Sequence, residues 1–317
     1  MSGENFPVYC GISLCVLDAK TDLGEDDTLT GLIERGLDRS KSEGKIVTYD
    51  HKIDEEFKQH LKLEVSLREC IKQGMKGFDV YYQPIVCAKS GRWRGLEALC
   101  RWNSPDFGPV PPLVFIHEAE QMGLIGPLGN WVLETAIGQC KYWGLDAIDG
   151  FLLEVNFSPL QMADRALADN VLQLLHQYDY PGSRLCIEIT ESRELNFSEH
   201  VIASIKNLLQ HNIDVALDDF GTGYSSFQNL KNVLVSMLKT ERQFVADIEQ
   251  NDYLKNLFHT MVNLAHAASM ELVAEGIETK SQLDLILETG ADYIQGYYYS
   301  QPLPSSEMAK LIDKFKP

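Results

Sequence analysis

Short apolar runs with internal alternation recur along most of the chain, at 78–88, 92–101, 151–157, 184–190, 213–219, 233–241, 271–277 and 292–299. Each predicts a β-strand. Most are separated by stretches with helical spacing. The clearest covers 252–269, where Leu254, Leu257, Phe258, Met261, Leu264, Ala265 and Ala268 form one apolar stripe. Thr279 and Gln282 make a capping-box pattern at the start of another helix, and Gly290 stands where its C-terminal cap belongs. Eight strands alternating with helices over roughly 240 residues predict an α/β fold of the TIM-like (β/α)8 barrel type. A doubly wound open sheet is the alternative, and no glycine-rich dinucleotide turn supports it.

Ahead of the barrel, 8–19 reads as a strand, 26–42 as a helix and 45–50 as a short closing strand. About fifty residues bury too small a core to stand alone with ease. Residues 1–50 therefore read as a small α/β fragment, the tail of a larger domain, followed by a helical linker at 51–77 and the barrel at 78–317.

Polar residues interrupt the apolar strands at one end. Glu97 lies in Gly-Leu-Glu-Ala-Leu-Cys-Arg-Trp, Asn156 in Leu-Leu-Glu-Val-Asn-Phe, and Glu188 between Ile187 and Ile189. Asp218 and Asp219 end the next run, Lys239 ends Val-Ser-Met-Leu-Lys, Glu275 ends Leu-Val-Ala-Glu, and Gln295 ends Asp-Tyr-Ile-Gln. A strand-end acid on its own is ordinarily a solvated residue or an ion-pair partner. Seven consecutive runs bringing carboxylates, amides and a lysine to one face is the pattern of a barrel active site. Gly221 and Gly223 follow the two aspartates, which predicts a loop leaving the strand through conformations that other residues resist. Asp219-Phe220-Gly221 is also a kinase triplet, but the glycine-rich and His-Arg-Asp loops that reading needs are absent.

The donors are oxygens of Glu, Asp and Asn, with none of the eight histidines or seven cysteines at a strand end among them. Such a set suits Mg²⁺ or Mn²⁺, and several acids around one point need cations to stay ionised. A pair of metals bridged by an acid is the usual arrangement for attack on a phosphodiester. The formal net charge of −18 argues against affinity for nucleic-acid polymers, yet leaves room for a small phosphorylated ligand. No apolar run is long enough to span a bilayer, and the scattered cysteines fit a reduced, cytoplasmic setting, with no membrane contact from this chain.

The longer motifs carry a resemblance. Residues 82–86 (Tyr-Gln-Pro-Ile-Val), 97–102 (Glu-Ala-Leu-Cys-Arg-Trp), 188–191 (Glu-Ile-Thr-Glu), 218–226, 274–279 (Ala-Glu-Gly-Ile-Glu-Thr) and 295–297 (Gln-Gly-Tyr) occur in the order of the EAL-domain family. The chain from about 62 onward resembles these phosphodiesterases, which linearise cyclic di-GMP to 5′-pGpG. The resemblance implies that Glu97, Asn156, Glu188 and Asp218 hold a first metal, with Asp218 bridging to a second that Asp219 and Glu275 also serve. It implies that Lys239 orients or helps deprotonate the attacking water. Gln83, Leu99, Arg101, Glu278 and Gln295 then stand at ligand-binding or supporting positions, and Glu191 anchors the loop at 220–226, which also takes part in a homodimer. One departure falls beside Lys239: the family has Ile-Asp-Arg there, and this chain has Thr240-Glu241-Arg242, so Glu241 adds a methylene near the second metal. The first fifty residues loosely resemble the C-terminal end of a GGDEF domain without its signature, which implies a fragment of a degenerate or truncated domain with no cyclase activity. The expected partner is cyclic di-GMP. The competing expectations are an enzyme, a receptor that binds the nucleotide without turnover, and a module that meets only proteins. The whole chain is also consistent with the cytoplasmic part of a longer, membrane-tethered protein.

Overall fold

A computed structural model describes residues 51–190, 199–221 and 235–315, together with 15–16, 37, 39–41 and 47–48. The chain divides into two compact units, Met1–Glu69 and Cys70–Pro317. In the first, β1 (Cys15–Val16) pairs in parallel with β2 (Val47–Thr48), and residues 37 and 39–41 between them are helical. Two parallel neighbours need a crossover, and helical residues between them form one. Helix α1 (His51–Lys72) begins in this unit and runs past its boundary.

The second unit is a closed barrel. Its strands are β3 (Phe78–Cys87), β4 (Trp93–Ser104), β6 (Leu152–Phe157), β7 (Leu185–Thr190), β8 (Asp214–Phe220), β9 (Met237–Thr240), β10 (Glu271–Ala274) and β11 (Tyr293–Ile294). They pair in the order β3–β4–β6–β7–β8–β9–β10–β11, and β11 returns to β3. Short β5 (Gly108–Val110) pairs with the C-terminal end of β4, and β12 (Leu303–Pro304) pairs with Tyr81 and Tyr82 in the middle of β3. Helices α2 (Pro112–Gln121) and α3 (Ile125–Trp143) precede β6, α4 (Pro159–Met162) and α5 (Leu167–Gln177) precede β7, and α6 (Glu199–Gln210) precedes β8. Then α7 (Gln243–Ala246) and α8 (Asp252–Ala267) precede β10, α9 (Lys280–Thr289) precedes β11, and α10 (Ser305–Phe315) ends the described chain.

One strand departs from a uniform parallel barrel: β3 is antiparallel to both β4 and β11. Only residues 88–92 join β3 to β4, too few for a crossover helix, so the pair can only be a hairpin. The expected capping chemistry of α9 is present, with the Thr279–Gln282 box at its start and Gly290 in the left-handed region at its end. Several strands stop earlier than their apolar runs: β10 ends at Ala274 and β11 at Ile294, so that Glu275 and Gln295 begin the loops at the barrel mouth.

Alternation divides each strand between two cores. Outward-facing Leu153, Val155, Ile187, Ile189, Val215, Leu217, Leu238 and Leu272 pack with Leu133, Ile137, Val171, Ile205 and Phe258 of the surrounding helices. Inward-facing Ile85, Leu152, Cys186, Ala216, Met237, Val273 and Tyr293 form a separate apolar plug across the barrel. The plug is the floor on which the polar residues rest.

Candidate active site

Lys239 is the centre of the mouth. Its ammonium is fully enclosed, and Nζ lies 2.6 Å from Glu188 Oε1, 2.9 Å from Glu275 Oε1, 3.5 Å from Glu154 Oε2 and 3.7 Å from Glu97 Oε2. Strand register brings these groups together. Gln83 pairs with Glu97, Glu97 with Glu154, Asn156 with Glu188, and Thr190 with Asp218. Asn156 Nδ2 donates to Glu97 Oε1 at 2.7 Å, and Gln295 Nε2 donates to both Glu97 Oε2 and Gln83 Oε1. Gln83 in turn donates to the Ser300 carbonyl at 3.0 Å. Glu97 is thereby fixed by two amides and a lysine.

Two adjacent residues of a regular strand face opposite sides, which makes Asp218 and Asp219 a puzzle. A register shift answers it. Leu217 pairs with Leu238 and Phe220 with Thr240, so two aspartates oppose the single Lys239. Asp219 takes φ +56°, the left-handed region, and its amide donates to Asp218 Oδ1 at 2.8 Å. This bulge turns the second aspartate toward the mouth, where its charge acts on both Asp218 and Glu241. Gly221 follows at φ +102°, where a Cβ would come within 2.8 Å of the Phe244 ring. Gly223 lies outside the described residues.

The crowding of acids sets their proton affinities. Burial lifts Asp218 to about 6 and Glu275 to about 8, with neighbouring carboxylates adding to the rise and Lys239 opposing it. Burial likewise pushes Glu188 well above the ordinary range, with Glu97 and Glu154 contributing. Glu97 goes the other way: burial raises it, but the Lys239 ammonium and the bonds from Gln295 and Asn156 outweigh that and hold it below its usual value. For Lys239 burial favours the neutral amine, yet the surrounding carboxylates prevail and raise it well above its normal value. An ammonium held this firmly donates; it does not accept a proton.

Glu97, Asn156, Glu188, Asp218, Asp219, Lys239, Glu275, Gln83 and Gln295 thus share the mouth. Leu99 and Arg101 follow Glu97 on the same face of β4, with the Arg101 guanidinium 5.7 Å from the Tyr81 ring centre and its Nη1 bonded to the Cys100 carbonyl. Glu278 instead pairs with Arg242 at 2.7 Å. Glu241 accepts a bond from Gln243 and is pushed up, by its partial burial and then by Asp219. Glu191, expected to anchor the loop, lies outside the described residues. Sequence reasoning passed over Glu154, although it sits two positions before Asn156 and alternation puts both on the same face.

The donor set fits divalent cations. Glu97, Glu154, Glu188 and Glu275 surround one ammonium with Asp218 and Asp219 beside them, and Glu188 Oε2 and both oxygens of Glu154 are buried without an N–H or hydroxyl donor. Buried orphaned carboxylate oxygens are costly unless a cation or a proton meets them. All of these donors are hard oxygens, the preference of Mg²⁺ and Mn²⁺.

A closed eight-stranded barrel with one reversed strand and an acid-lined mouth is the class of fold that these features define. The EAL domain model matches residues 64–302, and the chain belongs to the EAL-domain family. Similar proteins include the cyclic di-GMP phosphodiesterase PdeR of Escherichia coli, 31% identical over 262 residues, 83% of this chain and 39% of PdeR. MucR of Pseudomonas aeruginosa, a bifunctional diguanylate cyclase/cyclic di-GMP phosphodiesterase, is 30% identical over 260 residues, 82% of this chain and 38% of MucR. Among solved structures, EAL enzyme Bd1971 with cAMP and cyclic di-GMP bound matches with a TM-score of 0.77 at 28% identity, over 90% of this chain and 74% of that one. The PaMucR phosphodiesterase in complex with c-di-GMP matches at 0.72 and 32% identity, over 78% and 99%. The chain spans only part of the length of the curated relatives it matches, 38% for a protein of Azorhizobium caulinodans and 51% for the probable cyclic di-GMP phosphodiesterase PdeG of Escherichia coli.

Proposed function

We propose that this protein is a metal-dependent phosphodiesterase that hydrolyses cyclic di-GMP to linear 5′-pGpG. The observation that carries the reading is the convergence of Glu188, Glu275 and Glu97 on the enclosed Lys239, with Asn156, Asp218 and Asp219 beside them. Family membership and the ligands of the neighbouring structures support it. Glu97, Asn156, Glu188 and Asp218 would hold one cation, and Asp218, Asp219 and Glu275 a second, either Mg²⁺ or Mn²⁺. When bound, such cations make water a stronger nucleophile and offset charge building on the phosphodiester.

The rest falls to the side chains. Lys239 presents its protons to the incoming water oxygen and to a phosphate oxygen, so that both are held in line. Glu275, 2.9 Å from the Lys239 ammonium, is the carboxylate placed to take up and return the proton that water loses. Water adds across one P–O3′ bond: its oxygen joins phosphorus, and its proton ends on the departing 3′ oxygen. Gln83, Gln295, Leu99 and Arg101 line the approach, with Arg101 offering a fork to a phosphate oxygen. Glu278 stands beside them as a supporting residue, paired with Arg242.

Incubating the protein with cyclic di-GMP and Mg²⁺ or Mn²⁺ should yield 5′-pGpG; no linear product with either metal ends this reading. One observation favours a binding-only receptor: Glu241 crowds Asp219, where a shorter acid is usual in the family. Tight binding without turnover in the wild type, with turnover restored by Glu241→Asp, would identify a weakened enzyme in place of a receptor.

We also read residues 1–50 as a GGDEF-like remnant without cyclase activity and 51–77 as a helical linker to a barrel domain at 78–317. The parallel β1–β2 pair around helical residues supports the first of these. A cytoplasmic setting suits the free thiols of Cys70, Cys87, Cys100, Cys140 and Cys186. Among the described residues no helix is long and apolar enough to cross a membrane. A homodimer through the barrel, in which the loop at 220–226 takes part, completes the proposal.

A further inference from the structure

Glu154 is the one carboxylate beside Lys239 with no task in the mechanism above. It is fully enclosed: Oε2 lies 3.5 Å from the Lys239 ammonium, neither oxygen accepts from an N–H or a hydroxyl, and a further polar neighbour is the Glu188 carboxyl, which it raises. A structural glutamate in a barrel interior ordinarily has its oxygens satisfied. Along β6 it lies between Leu152, part of the apolar plug, and Asn156 at the mouth. Two strand positions correspond to roughly 6–7 Å, which sets it deeper than Asn156. The other three carboxylates around Lys239 are those of Glu97, Glu188 and Glu275, and each is assigned to a cation.

That assignment creates a conflict. An oxygen bound to a dication is a poorer partner for an ammonium, and an enclosed ammonium without a partner is strongly unfavourable. We propose that Glu154 is a positioning residue: it keeps hold of the Lys239 ammonium when Glu97, Glu188 and Glu275 turn to the cations, so that Lys239 stays aimed at water and phosphate. This deepens, and rests on, the reading of the site as a metal-dependent phosphodiesterase. Without Glu154, Lys239 competes with the metals for the same oxygens.

The test is a double-mutant cycle read by Mn²⁺ binding, with no substrate present. Glu154→Gln weakens Mn²⁺ binding about tenfold when Lys239 is present. In a Lys239→Met background, where nothing competes for the oxygens, the same change costs less than about threefold. Equal weakening in both backgrounds makes Glu154 a metal ligand and overturns the proposal; no weakening in either background overturns it too. In turnover, Glu154→Gln lowers kcat about tenfold and leaves KM for cyclic di-GMP unchanged. Should Lys239→Met not fold, this split decides alone: a wild-type kcat, or a change confined to KM, overturns the proposal. A wild type that binds Mn²⁺ but makes no product removes the phosphodiesterase reading, while the binding cycle still judges the Glu154–Lys239 pair. A wild type that binds no Mn²⁺ overturns both.

Discussion

Lys239→Met removes a charge and keeps an unbranched side chain of similar length, so its main effect is electrostatic. Four carboxylates within 3.7 Å lose their counter-charge. They do not lose equally. Glu275 sits at about 8 and Glu188 is raised well above the ordinary range, both chiefly by burial, so each already holds a proton more tightly than Glu97 does. Glu97 is the acid held below its usual 4.5, and the ammonium is the chief downward influence on it. In the variant Glu97 must take up a proton. At pH 7, protonating a group of pKa 4.5 costs 2.5 pH units at 1.36 kcal/mol each, or about 3 kcal/mol. Breaking buried ion pairs in other proteins costs roughly 3–5 kcal/mol.

The pH dependence carries the sign. In the wild type the depressed Glu97 contributes stability that is lost only as pH falls below 4.5; in the variant Glu97 is raised instead, and a raised carboxyl costs stability increasingly as pH climbs above its unfolded value. The deficit of Lys239→Met should therefore shrink from about 3 kcal/mol at pH 7 to under about 1 kcal/mol at pH 5. Urea unfolding in EDTA at both pH values measures it. Saturating Mn²⁺ should recover most of the lost stability, because a cation replaces the missing charge, and should recover none of the hydrolysis. A deficit independent of pH, or an active metal-loaded variant, would refute the account of Lys239 as both counter-charge and catalytic donor.

Asp218 and Glu275 are raised to about 6 and about 8, so their contribution to metal-free stability is full below the ordinary carboxylate range and is lost as pH rises through those values. Metal-free protein should lose stability between pH 5 and 8 while Mn²⁺ affinity climbs over the same window, since metal displaces those protons; calorimetric titration at several pH values checks this, and a flat affinity counts against it. Gly296→Ala would place a Cβ 2.1 Å from the Ile277 carbonyl oxygen and 2.4 Å from its nitrogen, both backbone. A loss of about 1–3 kcal/mol is expected, and an unchanged unfolding midpoint would show that the loop yields freely. Glu278→Gln breaks only the partly exposed pair with Arg242, so the unfolding midpoint should move by less than about 1 kcal/mol. If Glu278 meets the ligand, KM should rise about tenfold with kcat unchanged; an unchanged KM removes it from the ligand surface.

The parts of the site that sequence made legible are those that depend on alternation within one strand. Glu188 between two isoleucines needs no tertiary information to be placed inside a barrel, because the isoleucines have the helices to cover them. What stayed hidden depends on relations between strands. The reversal of β3 follows from the short link at 88–92, a topological constraint that apolar periodicity does not register. The inward turn of Asp219 depends on one extra residue opposite Lys239, and register is a property of two strands together. Glu154 is hidden for a different reason: a glutamate in the middle of an apolar run does not reveal whether its side chain meets a cation, a metal or an apolar wall. Its position two residues before Asn156 was in plain view, but only the 3.5 Å approach to Lys239 gives that position a meaning. If the binding cycle upholds the pair, the inner boundary of this site lies at the apolar plug, and the Glu154 layer belongs to the working part of the barrel.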